Sequence, residues 1–177
     1  MGYPAQTPRQ IALLRGVNLG KRKIVMSELR ALCEGAGFID VRTLLASGNL
    51  VLRAKLKGAR LEAKLEALIR DGLGLETDAF VRTADEVEAV MDANPFKAFA
   101  KTSPSFLLVN FLRRPVSMAE VAALRASARG EEWAQGEGCL YIKYPDGQGQ
   151  SRLKLPRLGT ARNWNTVTKL AAMAREE

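Results

Sequence analysis

A chain of 177 residues with 47% apolar residues is long enough for one compact domain or two small, closely packed ones. The formal charge of +8 favours polyanionic partners or phosphorylated ligands, although basic surfaces also occur without a dedicated partner. Histidine is absent, which excludes Ser-His-Asp and Cys-His catalysis within the chain and removes the principal ligand of the commonest zinc and non-haem iron sites.

After a polar leader, Gln10 to Arg15 reads as a nearly continuous apolar strand buried on both faces. Gly16 to Lys23 is a basic loop. Ser27 is expected to cap a helix that carries Leu29, Leu32 and Cys33 on one face and ends at Gly35 and Gly37. Val41 to Leu45 and Asn49 to Arg53 are short strands joined through Ala46-Ser47-Gly48. Leu61, Leu65, Leu68 and Ile69 recur at helical spacing up to Gly72 and Gly74, and a strand follows at Asp78 to Arg82. The order β-α-β-β-α-β is that of the ferredoxin-like split βαβ unit.

The remainder partly echoes this order. A helix over Asp85 to Ala93 is stopped by Asn94-Pro95, because proline disfavours helical geometry in the residue before it. Ser105 to Leu112 is a strand, and Met118 to Ala128 a helix capped by Ser117. Two short strands around Glu132 to Ala134 and Leu140 to Tyr144 come next, then a turn at Pro145-Asp146-Gly147. The last helix starts near Asn163. These elements predict an α+β fold of two related halves, residues 1–83 and 84–177, joined without a low-complexity linker. Low aromatic content, 6%, with abundant Ala and Leu agrees with helices packed on sheets. Cys33 and Cys139 both read as small core residues, and no disulfide is expected.

Two segments concentrate Gly, Asn and cations where an element ends. In the first, Arg15, Gly16, Asn18, Lys21 and Lys23 could hold an anion by backbone N–H groups and positive charge. A standard nucleotide-triphosphatase loop is excluded, since only Val17, Asn18 and Leu19 separate Gly16 from Gly20-Lys21 and Arg22 follows. A solvated basic turn fits the same residues equally well. Ser47 and Asn49 read first as parts of a structural hairpin, with ligand hydrogen bonds as the other reading. In the second segment, Arg162, Asn165, Thr166 and Lys169 follow helical spacing, with Asn163 as the N-cap of a helix whose free N–H groups suit an anion. Trp164 falls on the apolar side with Val167, Leu170, Ala171 and Ala174 and is read as a core anchor. Lys143, Arg152, Lys154 and Arg157 make the neighbourhood basic.

The strings from Ile11 to Gly20 and Val41 to Val51, with Asn94-Pro95-Phe96, Tyr144-Pro145-Asp146-Gly147 and Thr160 to Val167, closely resemble the bacterial family catalogued as domain of unknown function 1697. The resemblance spans nearly the whole chain. It implies an α+β architecture with intertwined ferredoxin-like halves and supplies no activity. The family's conspicuous motifs map onto Arg15, Gly16 and Asn18, onto Ser47, Gly48 and Asn49, and onto Arg162, Asn163, Trp164 and Asn165. This chain departs from the family pattern in having a single Gly20 before Lys21 and a short segment from Leu155 to Gly159.

The leading expectation is that the two segments meet in space and bind a small anionic, phosphate-bearing ligand. Nonspecific nucleic-acid binding through a basic surface is the second reading; the expected central strands carry no stacking aromatics for base recognition. A structural or assembly module is the third. Spacing singles out no catalytic residue, and an enzymatic role is left open. No cofactor, metal or membrane association is expected. The N-terminal Met1 to Gln6 lacks the apolar stretch of a signal peptide, so the expected location is the cytoplasm.

Overall fold

The structure, a computed structural model, describes residues 7–21 and 23–176. The chain divides into two compact units: residues up to Val87 together with those from Leu170 onward, and Glu88–Lys169. Each unit is built on a four-stranded antiparallel sheet.

In the first unit, β1 (Arg9–Leu14) lies between β3 (Asn49–Arg53) and β4 (Ala79–Thr83), with β2 (Ile39–Leu44) at the edge, giving the order β2-β3-β1-β4. The register pairs Ile11 with Val51 and with Arg82. Side chains alternate across a strand, so Ala12 and Leu14 join Leu50, Leu52, Ala79 and Val81 on one face. Two helices cover that face: α1 (Met26–Gly35) and α2 (Gly58–Leu73). Leu61, Leu65 and Ile69 of α2 are fully buried, each contributing roughly 1.5–3 kcal/mol by leaving water. Gly74, in the left-handed conformation at φ 66°, ends the helix and donates its N–H to the Arg70 carbonyl. Ile11, Leu13, Val51 and Phe80 on the opposite face are also buried, as the continuous apolar pattern of β1 implied.

The register between β2 and β3 shifts between Ile39 and Arg42, and Asp40 in that interval has φ 51°. The bulge aims its carboxylate at three arginines. Arg9 bonds it at 2.5 Å and Arg42 at 3.0 Å, with Arg53 at 3.6 Å. Burial pushes the Asp40 carboxyl up, but hydrogen bonds from Arg9 and Arg42 outweigh it and hold it below the usual carboxylate range.

In the second unit, β5 (Leu107–Leu112) lies between β7 (Cys139–Lys143) and β8 (Gly159–Asn163), with β6 (Glu132–Gly136) at the edge. The order β6-β7-β5-β8 repeats that of the first sheet, and both are consistent with ferredoxin-like halves. One helix, α5 (Met118–Ser127), lies between β5 and β6. Ser117 accepts the Glu120 N–H while the Glu120 carboxylate takes the Ser117 N–H, a reciprocal cap that satisfies two otherwise orphaned donors. Where the first unit has α2 between its third and fourth strands, the second has residues 144–158 without a helix or strand. Leu153 and Leu155 of that segment pack on Leu108, Leu124, Leu140 and Tyr144.

The described residues also form α3 (Ala84–Asp92), α4 (Lys97–Thr102), a short 3-10 helix at Pro104–Phe106 and α6 (Trp164–Arg175). Sequence reading did not anticipate α4 or β8. The former is a six-residue helix with no buried residue, so no apolar period marks it. The latter, Gly-Thr-Ala-Arg-Asn, is a polar strand that pairing with β5 creates. A third difference concerns α1, which begins at Met26 with extended Val25 as its N-cap, two residues ahead of the expected Ser27 cap. Both cysteines are buried free thiols, and burial pushes that of Cys33 up to about 11. No helix among the described residues is long and apolar enough to cross a membrane.

Candidate functional site

In the first unit the two loops anticipated from sequence, Arg15 to Lys23 and Ala46 to Asn49, are joined into one rim. Asn18 makes the joint: its side-chain amide donates to the Ala46 carbonyl, and its oxygen accepts the Ile24 N–H at 2.7 Å. Asn18 sits at φ 57°, a left-handed conformation that Asn tolerates better than most residues. Gly16 and Gly20 flank it at φ 64° and 60°, so positive φ recurs at every second residue of the loop. Successive backbone N–H groups in alternating right- and left-handed conformations are one way in which proteins form anion-binding concavities. Leu14 donates its N–H to the Gly48 carbonyl at 2.8 Å, holding the turn against the end of β1.

The side chains of this rim divide by role. Asn49 is fully buried and donates to the Leu44 carbonyl and to Ser47 Oγ, both at 2.8 Å, so Asn49 and Ser47 stabilise the turn itself. Arg15 is paired with Asp78 at 3.2 Å, while its carbonyl accepts from Thr77 Oγ1. Lys21 and Lys23 are exposed. Asn18, Ser47 and Asn49 are thus scaffold for a basic loop, and the cations are its outward-facing chemistry.

The second motif lies in the second unit and differs from the helix mouth expected of it. Arg162 is on β8 opposite Val109, 8% exposed, with Nη1 donating to Thr160 Oγ1 at 2.7 Å and to the Ala161 carbonyl at 2.9 Å. Burial lowers its guanidinium to about 10. Asn163 does cap α6, accepting the Thr166 N–H at 3.0 Å. Trp164 is half-buried and Thr166 buried, whereas Asn165 and Lys169 are exposed one turn apart on α6. Arg15, Gly16, Asn18, Lys21, Lys23, Ser47 and Asn49 belong to the first unit, and Arg162, Asn163, Asn165 and Lys169 to the second. Among the described residues no group of three or more Cys, Asp or Glu is arranged to hold a metal ion. Arg129, exposed after the end of α5, was not singled out by sequence; no motif surrounds it, and only the fold sets it beside Arg152.

The family described as a protein of unknown function, DUF1697, matches residues 8–141. The chain is also similar to a solved structure, that of the conserved bacterial protein SP0830 from Streptococcus pneumoniae. Their sequences are 23% identical, the match covers 95% of this chain and 99% of that one, and the TM-score is 0.76. At that identity the likeness shows a common fold. No curated protein matches.

Proposed function

The chain belongs to the DUF1697 family of proteins of unknown function, and from that premise we propose that it binds a small, phosphate-bearing anion on the rim of its first unit. The observation that supports this reading is the recurrence of positive φ at Gly16, Asn18 and Gly20 in a loop tethered at both ends of the Asn18 side chain. A loop already held in its binding geometry loses little entropy on taking up a ligand. Backbone N–H groups would contact the anion, Lys21 and Lys23 would supply charge, and Arg15 would add a guanidinium still paired with Asp78. Ser47 and Asn49 act through the turn. Exposed Asn165 and Lys169, in the first half of α6, form a secondary basic patch within the same proposal. The intertwining of the two halves also belongs to this reading, supported by the grouping of residues from Leu170 onward with the first unit.

The test is a thermal-shift titration of the wild-type protein and of Lys21→Ala/Lys23→Ala with inorganic phosphate, pyrophosphate, ATP and short nucleic acids at two salt concentrations. A ligand that prefers the native state raises the melting temperature by mass action. A melting-temperature shift that is larger in the wild type than in the double variant is the expected result. Equal stabilisation of both proteins refutes the placement. A shift produced only by short nucleic acids and abolished by salt transfers the basic surface to nonspecific polyanion binding.

A further inference from the structure

The absence of a second crossover helix gives the second unit a feature that the first lacks. In the first unit α2 occupies the sheet face between the third and fourth strands; in the second, residues 144–158 cross that region without a helix. A helix would fill the space beside α5 with side chains. An irregular segment leaves two adjoining clefts, of about 360 Å³ and about 310 Å³, which share Arg129 and Arg152 as a common wall. Sites for small molecules start at roughly 300 Å³.

The segment is held in place by named contacts. Ser127, the last residue of α5, accepts the Lys154 N–H at 2.9 Å and donates to the Ala123 carbonyl at 2.6 Å. Ser151 donates to Glu131 Oε1 at 2.5 Å, and Glu131 Oε2 takes the Arg129 N–H at 2.5 Å. Hydrogen bonds from Ser151 and then Arg129 hold the Glu131 carboxyl below the usual range, so the brace is ionic at neutral pH. Between these anchors burial alternates: Leu153 and Leu155 face the core, while Arg152 and Lys154 are exposed. The alternation leaves the two cations together on the outward side of the segment.

The two clefts differ in charge. The smaller is lined by Arg129, Arg152 and Lys154 with walls of Ala123, Ala126 and Ser127, and has no carboxylate. Neither Arg152 nor Lys154 has an acidic partner among the described residues. The carbonyls ending α5 would repel an anion here, but Arg129 Nη1 donates to those of Ala126 and Ala128 and neutralises them. The larger cleft is lined by Glu131, Asp146, Gln150 and the buried Tyr144, groups that accept hydrogen bonds or offer an aromatic edge. Glu131 accepts from Ser151, from the Arg129 N–H and from its own backbone N–H, so its carboxylate is held in place at the wall of the cleft.

We infer that this double cleft is a binding site for a phosphomonoester carrying hydroxyl or amino donors, with its phosphate held by Arg129, Arg152 and Lys154 and its donors turned toward Glu131 and Asp146. The site is independent of the rim in the first unit, and its ligand class is narrower. Charge of one sign at one end and acceptors at the other select a molecule polar at both ends, which neither a bare anion nor a neutral sugar satisfies.

The experiment is calorimetric titration of the full chain with ribose 5-phosphate and adenosine 5′-monophosphate, against ribose, adenosine and inorganic phosphate. Saturable binding of a phosphomonoester is expected, with inorganic phosphate weaker and the unphosphorylated compounds weaker still. Arg152→Ala and Lys154→Ala should each weaken it at least about tenfold, the loss expected for a hydrogen bond to a charged group. Arg152→Lys should restore part of the affinity. Asp146→Asn should weaken the phosphomonoesters while leaving inorganic phosphate unchanged. Lys21→Ala/Lys23→Ala should leave this binding intact, which separates it from the rim. Because Arg152 and Lys154 are exposed, these variants should melt with the wild type. Absence of saturable phosphomonoester binding, or binding lost only in the Lys21/Lys23 variant, overturns the assignment.

Discussion

Replacing Gly48 with alanine tests how tightly the turn is seated on β1. At φ 82°, Gly48 occupies backbone space that costs an L-residue roughly 1–2 kcal/mol. A Cβ at that position would stand 2.5 Å from Val17 Cγ2 and 2.9 Å from Leu14 Cβ, closer than carbon atoms approach without displacement. Leu14 is fully buried and Val17 is 4% exposed, so neither moves into solvent, and overpacking of such a core costs about 1–3 kcal/mol. The two contributions give about 2–5 kcal/mol for Gly48→Ala. Two controls separate them. Gly74 has φ 66° with nothing within 4 Å of an added Cβ, so Gly74→Ala should lose only the backbone contribution. Gly72 is helical, and its added Cβ would meet only the tip of half-exposed Leu32, at 2.6 Å, so Gly72→Ala should be close to neutral once Leu32 swings aside. Urea unfolding followed by far-UV circular dichroism gives the midpoints, with an unchanged slope confirming that stability alone has moved. A Gly48→Ala variant no less stable than Gly74→Ala would refute the close seating of the turn. If the reasoning holds, the same variant also loses ligand stabilisation at the rim, since Gly48 accepts the Leu14 N–H that leads into the basic loop.

Glu120 is held at about 2 by the Arg114 side chain and then by the Ser117 N–H, below its usual 4.5. A depressed carboxyl contributes stability that is present above pH 4.5 and lost as pH falls through 2, so the wild-type advantage over Glu120→Gln in melting temperature should shrink across that window; a constant difference would show that the cap does not titrate with the fold. Arg162→Ala should lower unfolding free energy by about 2–4 kcal/mol in chemical denaturation, through lost packing and the bonds to Thr160 and Ala161, and wild-type stability would contradict its burial on β8.

The elements legible in the sequence were those whose signal is local. The β3 strand falls at Asn49–Arg53 as its apolar run indicates, α2 follows the leucine period to Gly74, and Ser117 with Glu120 announces the start of α5. Elements made by distant pairing were not. Thr160 to Asn163 reads as a polar helix entrance, because nothing within those residues reports that β5 will pair with them. That pairing turned Arg162 from an expected surface cation into a buried one, and with it moved the residue out of the accessible part of the candidate site.

The functional residues divide in the same way. Composition alone removes imidazole chemistry, and local Gly, Asn and cation content marks the loops Arg15 to Lys23 and Ala46 to Asn49. Which of their polar groups face outward was decided by tertiary contacts: the Asn18 side chain is engaged by Ala46 and Ile24, and Asn49 by Leu44 and Ser47, while Lys21 and Lys23 are exposed. The sequence between Tyr144 and Leu158 shows its basic residues and its turn, yet the cleft depends on Arg129 lying beside Arg152 across a gap that a helix fills in the other unit. Local propensity sets secondary structure and charge through neighbours a few residues away, whereas a site is made by residues that only the packed chain brings together.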